Sequence, residues 1–534
     1  HIQSNEAYNS QYIDHKAFQT ELGYVVCSRQ NQWQAQGCNG FPMLQQGSFQ
    51  PIRSFSTDGY PFYGLNYKID GKIKELYSET LNNRVYQYEF AFTALQTKEV
   101  LLKEETQFTF YGFINPSLET AITQPVPMEE IRKCYRNPDW ELLNNASFKP
   151  VCKTFPCMSS LPFTNEEVDS MYQVKRHVEE YGGKLLSFFG KDHEHVVLME
   201  KELLVERPHG HIIMSGTSDF VKEDRLSSTN YIYGVFGSQT VVGNTSFNKL
   251  TSNCRNSLNV SKTSGQRILI KQNGTYTLLT MAGLYEVGYN YSKWLYKLED
   301  DVIEIVSYTH HKTPTLTLEF NSMNHKTYDV AIVSHLCNGP EPNAAPFQYE
   351  HKGKRVTIRH ALTTLSGSHY PGLHFNIETD QAFQLHDDSF FYDTIGSKGE
   401  PYLVWEFSQA EHITMTTTGF ISEEEFEVMP TSFDAEKTAF LNWIKRVTHG
   451  FSLEIRGKNH ISQEVDQIND IAFWYSHNAR IHYLSPHGLE QFGGAAWGTR
   501  DVCQGPFEYF LAFQHYPVLK SILSIVYRHQ YYEN

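Results

Sequence analysis

Hydrophobic period changes once along this 534-residue chain, close to Pro430. Upstream, apolar residues recur at every second position. Val85-Tyr-Gln-Tyr-Glu-Phe90, Val302-Ile-Glu-Ile-Val306 and Thr315-Leu-Thr-Leu-Glu-Phe320 all alternate, as strands with one buried face must. Asp70-Gly71 and Asn273-Gly274 each stand between two such runs, and both dipeptides accept the positive φ that a two-residue hairpin turn demands. Long helical windows are few, the clearest being Asn165 to Tyr181. Residues 1–430 therefore read as one large antiparallel β-sandwich.

Downstream the spacing becomes helical. Asp434 reads as the cap of a helix striped by Ala439, Phe440, Trp443, Ile444 and Val447 and ended by Gly450, which makes 431–461 a helical linker. A second helix is expected from about Ser462 to Tyr483, burying Ile468, Ile471, Ala472, Tyr475 and Ala479. After a turn at Gly493-Gly494, one helix should follow Pro506 and another Pro517, the last striped by Val518, Leu519, Ile522, Leu523 and Val526. Residues 462–534 thus read as the opening helices of an α domain that is cut short.

Charge and composition remove several classes. With 45 Lys+Arg against 60 Asp+Glu the net charge is −15, so the chain lacks the broad basic field that nucleic acid requires. No run approaches the 18 apolar residues of a membrane span. The eight cysteines (Cys27, Cys38, Cys134, Cys152, Cys157, Cys254, Cys337, Cys503) are scattered and form no C-x-x-C pair, which reads as reduced thiols in a cytoplasmic protein. His193-Glu-His195 and His209-Gly-His211 would each turn two rings to one face of a strand, but no further ligand is evident, so no metal is assigned. The acidic run Glu423-Glu-Glu425 reads as a solvated lead-in to the linker.

The most informative stretch is Gly493-Gly-Ala-Ala-Trp-Gly-Thr-Arg-Asp-Val-Cys-Gln504. Arg500 supplies a fork of donors, Asp501 two acceptors and Gln504 an amide that does both, while Trp497 offers a flat apolar face. That set suits a polyhydroxylated ring, whose hydroxyls need donors and acceptors and whose C–H face needs an aromatic. The same residues would also serve as a buried Arg–Asp pair at a helix start with Trp497 in the core.

The segment from His477 to Gln504, with its G-G-A-x-x-G-x-R-D-x-x-Q run after an aromatic-rich helix, resembles the start of the catalytic domain in glycoside hydrolase family 94, most closely its β-1,2-glucan-active branch. The resemblance implies a β-supersandwich, linker helices and the first helices of an (α/α)6 barrel. It implies an inverting phosphorolysis of β-1,2-linked glucooligosaccharides to α-glucose 1-phosphate, with the oligosaccharide and phosphate as partners and no organic cofactor. Arg500, Asp501 and Gln504 would line the donor-side sugar subsite, and Trp497 stands where relatives place another aromatic. Gly505 departs from the family pattern, which often continues with a carboxylate. The general acid, an Asp in a G-D-W-N-D-like turn, is absent here and expected downstream of Asn534, so this stretch alone should be inert. A hydrolase of the same architecture and a non-catalytic carbohydrate-binding protein are the alternatives. Oligomeric state is not legible.

Overall fold

The computed structural model describes residues 10–34, 39–67, 71–86, 90–135, 153–205, 208–217, 222–243, 247–252, 265–339, 347–393, 396–456, 462–484 and 499–528. Within the span read as one sandwich it separates two compact units, His1–Val151 with Arg255–Leu258, and Cys152–Cys254 with Asn259–Asn534.

The first unit holds a six-stranded sheet of β1 (Ile13–Thr20), β2 (Gly23–Gln30), β3 (Met43–Ser48), β4 (Ile52–Asp58), β5 (Ala91–Thr97) and β6 (Phe110–Asn115). Its order is β5-β4-β2-β3-β6, with β1 also paired to β2. Cys27, Met43 and Ile122 centre its core. Burial pushes the Cys27 thiol up to about 12, so it stays protonated beside Gln45. The hairpin expected at Asp70-Gly71 falls on residues 68–70, which lie outside the described set. A short helix, Gly59–Tyr63, precedes them and a 3-10 turn, Lys74–Tyr77, follows. Val85 and Tyr86 are not in a strand, and residues 87–89 lie outside the described set.

The second unit is built on two facing sheets. One is an eleven-stranded antiparallel sheet with Phe347–Lys352 at one edge and β7 (Arg176–Tyr181), β8 (Lys184–Phe189) and β9 (His195–Leu198) at the other. The nine-stranded sheet includes β10 (Gly210–Met214), β11 (Gln266–Gln272) and β12 (Thr275–Leu279). Alternation works as expected in β13 (Val302–Thr309) and β14 (Thr315–Ser322), which turn Ile303, Ile305, Leu318 and Phe320 inward. From the other sheet Ile268, Ile270, Ile332 and Trp405 meet them in one continuous core. Asn273 (φ 51°) and Gly274 (φ 81°) make the expected turn between β11 and β12, with Gln272 opposite Thr275.

The long helix expected over Asn165–Tyr181 is instead the short α1 (Asn165–Met171) followed by β7. Thr164 and Glu167 form a capping box at its start. Gly182 and Gly183, at φ 59° and 76°, then turn Arg176–Tyr181 back onto β8, a pairing that outweighs helical propensity.

Four helices close the unit: α2 (Phe433–Val447), α3 (Ser462–Leu484), α4 (Thr499–Ala512) and α5 (Tyr516–Arg528). Ser432, not Asp434, caps α2, its Oγ accepting from the Ala435 N–H; Asp434 sits in the first turn. Phe440, Trp443, Ile444 and Val447 are buried as the stripe required. They join Met214 and Tyr289 of the sandwich, Phe473 and Ile481 of α3, Tyr509 and Phe510 of α4, and Val518, Leu519 and Ile522 of α5 in one helical core.

Candidate functional site

Helix α4 begins at Thr499, seven residues ahead of Pro506, where a start had been expected. Arg500 and Asp501 therefore occupy its first turn and Gln504 the next, within about 6 Å along the axis at 1.5 Å per residue. The start of a helix also carries partial positive charge, which favours electron-rich ligands. Trp497 and Gly493-Gly494 lie outside the described residues. Gly505 acquires a physical reason: a Cβ there would stand 3.0 Å from Tyr475 Oη, so glycine lets α4 approach α3 closely. Tyr475 and Tyr509 complete that contact, ring centroids 5.5 Å apart.

The face by which α3 meets the sandwich is not the one its apolar spacing indicated. Of the residues expected inside, Ala479 is buried, but Ile468, Ile471 and Tyr475 stay 44%, 63% and 44% exposed, while Asp470, Phe473, His477 and Arg480 are buried. These four recur at helical spacing, but two are charged, so the stripe reads as polar in the sequence. It goes inside because its charges find partners.

Asp470 is the hub. Its Oδ2 accepts from Arg176 Nη1 at 2.8 Å and its Oδ1 from Arg176 Nη2 at 2.9 Å, a bidentate fork. His193 Nδ1 lies 2.5 Å from Oδ1 and His177 Nε2 2.9 Å from Oδ2. Burial alone would raise the Asp470 carboxyl, but the contacts from His193 and Arg176 outweigh it and hold it below the usual carboxylate range. His193 also stacks on Phe473, and its carbonyl accepts from Trp474 Nε1 at 2.9 Å.

Nearly three turns beyond Asp470 along α3, Arg480 Nη2 points at the carbonyls of Met214, Ser215 and Gly216, at 2.7, 2.9 and 2.5 Å. The rings of Phe440, Trp443 and Tyr289 surround its guanidinium at 4.9, 5.7 and 5.9 Å. Burial lowers it to about 9, so it stays charged at neutral pH. His477 stacks on His211 of β10, centroids 4.8 Å apart, and His211 Nε2 meets the Gly288 carbonyl at 2.7 Å. Burial lowers His211 to about 4; burial, then the charges of His211 and Arg480, push His477 well below its usual value. On α2, Glu436 Oε2 receives both the backbone N–H and Nδ1 of His311, at 2.6 and 2.7 Å.

The H-x-H pairs do not share faces. His193 sits in a turn at φ 66° and leans on α3, whereas His195 opens β9 and stacks on Phe189. His209 pairs with Glu202 at 2.6 Å, while His211 faces α3. Among the described residues no group of three His, Cys, Asp or Glu could hold a metal ion. Glu423 and Glu425 are not simply solvated: Arg359 and Arg355 reach them at 3.0 and 3.2 Å. A cavity of about 470 Å³ opens beside this run, lined by the carboxylates of Glu223, Asp224, Glu424 and Glu425 together with Lys222 and Phe420. Among the described residues no helix is long and apolar enough to cross a membrane.

Residues 172–419 match the glycoside phosphorylase supersandwich domain and residues 1–112 the SOGP N-terminal domain. The 1,2-beta-oligoglucan phosphorylase of Listeria innocua serovar 6a is 34% identical over 540 residues, covering 99% of this chain. The chain spans about half, 48%, of that relative's length. Among solved structures, a bacterial glucoamylase complexed with acarbose aligns at a TM-score of 0.30 and 6% identity over 51% of this chain and 40% of its own. A putative aldose 1-epimerase from Escherichia coli K12 aligns at 0.24 and 8% over 40% and 99%. Such scores leave the assignment to the domain matches and the sequence relative. The resemblance first drawn from the Arg500-Asp501 segment extends across almost the whole chain, which matches the SOGP N-terminal domain and the glycoside phosphorylase supersandwich domain and is similar in sequence to 1,2-beta-oligoglucan phosphorylase.

Proposed function

We propose that this chain belongs to an inverting glycoside phosphorylase that cleaves β-1,2-linked glucooligosaccharides with inorganic phosphate, releasing α-glucose 1-phosphate. The observation that carries this reading is the 34% identity over 99% of the chain to a protein of that name. In our reading 431–461 links the sandwich to a catalytic domain, and 462–534 supplies the opening helices of an (α/α)6 barrel. Arg500, Asp501 and Gln504, at the start of α4, would hold the non-reducing-end glucose, with Trp497 against its C–H face. The N–H groups of the first helical turn add donors for ring hydroxyls.

Inverting phosphorolysis needs one side-chain acid to protonate the departing oxygen, because phosphate itself attacks the anomeric carbon from the opposite face. No such acid is assigned within these 534 residues, and phosphate enters as a substrate rather than a cofactor. The scattered cysteines, with Cys27 a buried thiol, support a cytoplasmic setting.

Titration calorimetry of the 534-residue chain with β-1,2-, β-1,3- and β-1,4-linked glucooligosaccharides tests the assignment. Heat confined to the β-1,2 series, and lost in Arg500→Ala, is expected. Equal heat for all three, or none, would overturn it. In a catalytically active polypeptide the same substitution should cost about 2–4 kcal/mol of transition-state stabilisation, read from kcat/KM.

A further inference from the structure

We propose that Asp470 is a positioning residue for the sugar site: it fixes the register of α3 on the sandwich and thereby sets where the start of α4 stands. The proposal rests on the reading of Arg500, Asp501 and Gln504 given above, but its geometry does not. Four nitrogen contacts converge on one carboxylate that is 3% exposed. They come from two separate places in the chain, β7 with Arg176 and His177, and the turn before β9 with His193. A slide of α3 by one residue, 1.5 Å along its axis, would break all four together. Apolar packing alone tolerates such slides, because it has no direction.

A second observation is independent of those contacts. His177 and His193 both adopt left-handed backbone, φ 50° and 66°, a conformation disfavoured for side chains with a Cβ. Two strained residues that both turn their rings to the same carboxylate mark a place where the fold spends stability on orientation. From Asp470 the order passes along α3. Five residues on, Tyr475 faces α4, where Gly505 and Tyr509 meet it. Gly505 directly follows Gln504. The arrangement therefore runs from sandwich to Asp470 to Tyr475 to the first turns of α4, with directional contacts at the first link and close backbone approach at the last.

Asp470→Asn keeps the shape but puts an amide donor where Arg176 and His193 already donate and where His177 Nε2 stands 2.9 Å away. Two readings follow in the 534-residue chain. Amide hydrogen exchange over residues 503–510 should quicken at least ten-fold, with the sandwich amides unchanged, and the dissociation constant for a β-1,2-glucooligosaccharide should rise about ten-fold well below the melting temperature. Arg176→Lys, which keeps the charge but loses the fork, should move both in the same direction by less. It decides the matter if Asp470→Asn does not fold. An anchor with only a structural role would lower the melting temperature and leave sugar affinity intact; that outcome overturns the proposal, as does unchanged exchange in a folded variant. If the unsubstituted chain binds no glucooligosaccharide, the functional reading falls, and the exchange result alone decides whether Asp470 sets the start of α4.

Discussion

Acid should loosen the seam between sandwich and helices, and His211 allows the size of the effect to be worked out. Its imidazole is fully enclosed by His477, Trp474 and the Gly288 carbonyl, and burial lowers it from 6.5 to about 4. The folded value lies below the unfolded one, so the unfolded chain takes up the proton first. The contribution of neutral His211 is therefore complete above pH 6.5 and is lost as the pH falls from 6.5 through 4. Between pH 7 and pH 4.5 the unfolded state gains about 1.8 decades of proton binding over the folded state, worth about 2.4 kcal/mol at about 1.36 kcal/mol per unit. His211→Phe removes the titrating group while preserving an aromatic partner for His477. At pH 7 the variant should be the less stable by about 1 kcal/mol, the worth of the lost bond to Gly288. At pH 4.5 it should equal or exceed the parent. Urea unfolding followed by tryptophan fluorescence at both pH values measures the gap. A gap that stays the same at pH 7 and pH 4.5 would refute the assignment of this acid sensitivity to His211.

Two further substitutions probe the same helices. Arg480→Met takes the guanidinium donor from the carbonyls of Met214, Ser215 and Gly216, of which Met214 keeps Thr309 Oγ1 and Ser215 keeps Arg225 Nη1, and should lower the unfolding free energy of the second unit by about 2 kcal/mol, read from its urea midpoint. An unmoved midpoint would show that the cage of Phe440, Trp443 and Tyr289 holds the helices without it. Gly505→Ala should gain little on its own, because its Cβ meets Tyr475 Oη, yet stabilise by about 1 kcal/mol in a Tyr475→Phe background, where helix propensity acts unopposed. Equal effects in the two backgrounds would mean the hydroxyl is not what keeps position 505 a glycine.

The sandwich was legible where two-residue periodicity ran long enough to matter. Val302–Val306 and Thr315–Phe320 became strands because each turns a full row of side chains into one core between two sheets. Asn273-Gly274 became a turn because both flanking runs were five residues of strand-forming sequence. Propensity misled at Arg176–Tyr181, since a helical window carries no sign that Gly182-Gly183 will fold it back on β8. Arg500, Asp501 and Gln504 stood out in the sequence as three polar residue types at close spacing whose donors and acceptors suit a sugar, and the structure adds their place in the first turns of α4. The hub at Asp470 did not stand out, since its partners lie nearly 300 residues away in β7 and the turn before β9.

That distance explains why α3 turns the opposite face inward from the one its leucine-like spacing suggests. Counting apolar residues assumes that a charge in the core is an uncompensated cost, and under that assumption Ile468, Ile471 and Tyr475 must be inside. Here each charge on the buried face has a prepared receiver: Arg176 and two histidines for Asp470, three carbonyls and three aromatic rings for Arg480. The cost of desolvation is offset by directional contacts that no apolar stripe could supply, and what the fold gains is orientation rather than bulk stability. A helix that only had to be buried would present isoleucine. One that must hold its neighbour, and the turn carrying Arg500 and Asp501, at a defined place presents aspartate and arginine to a sandwich shaped to receive them.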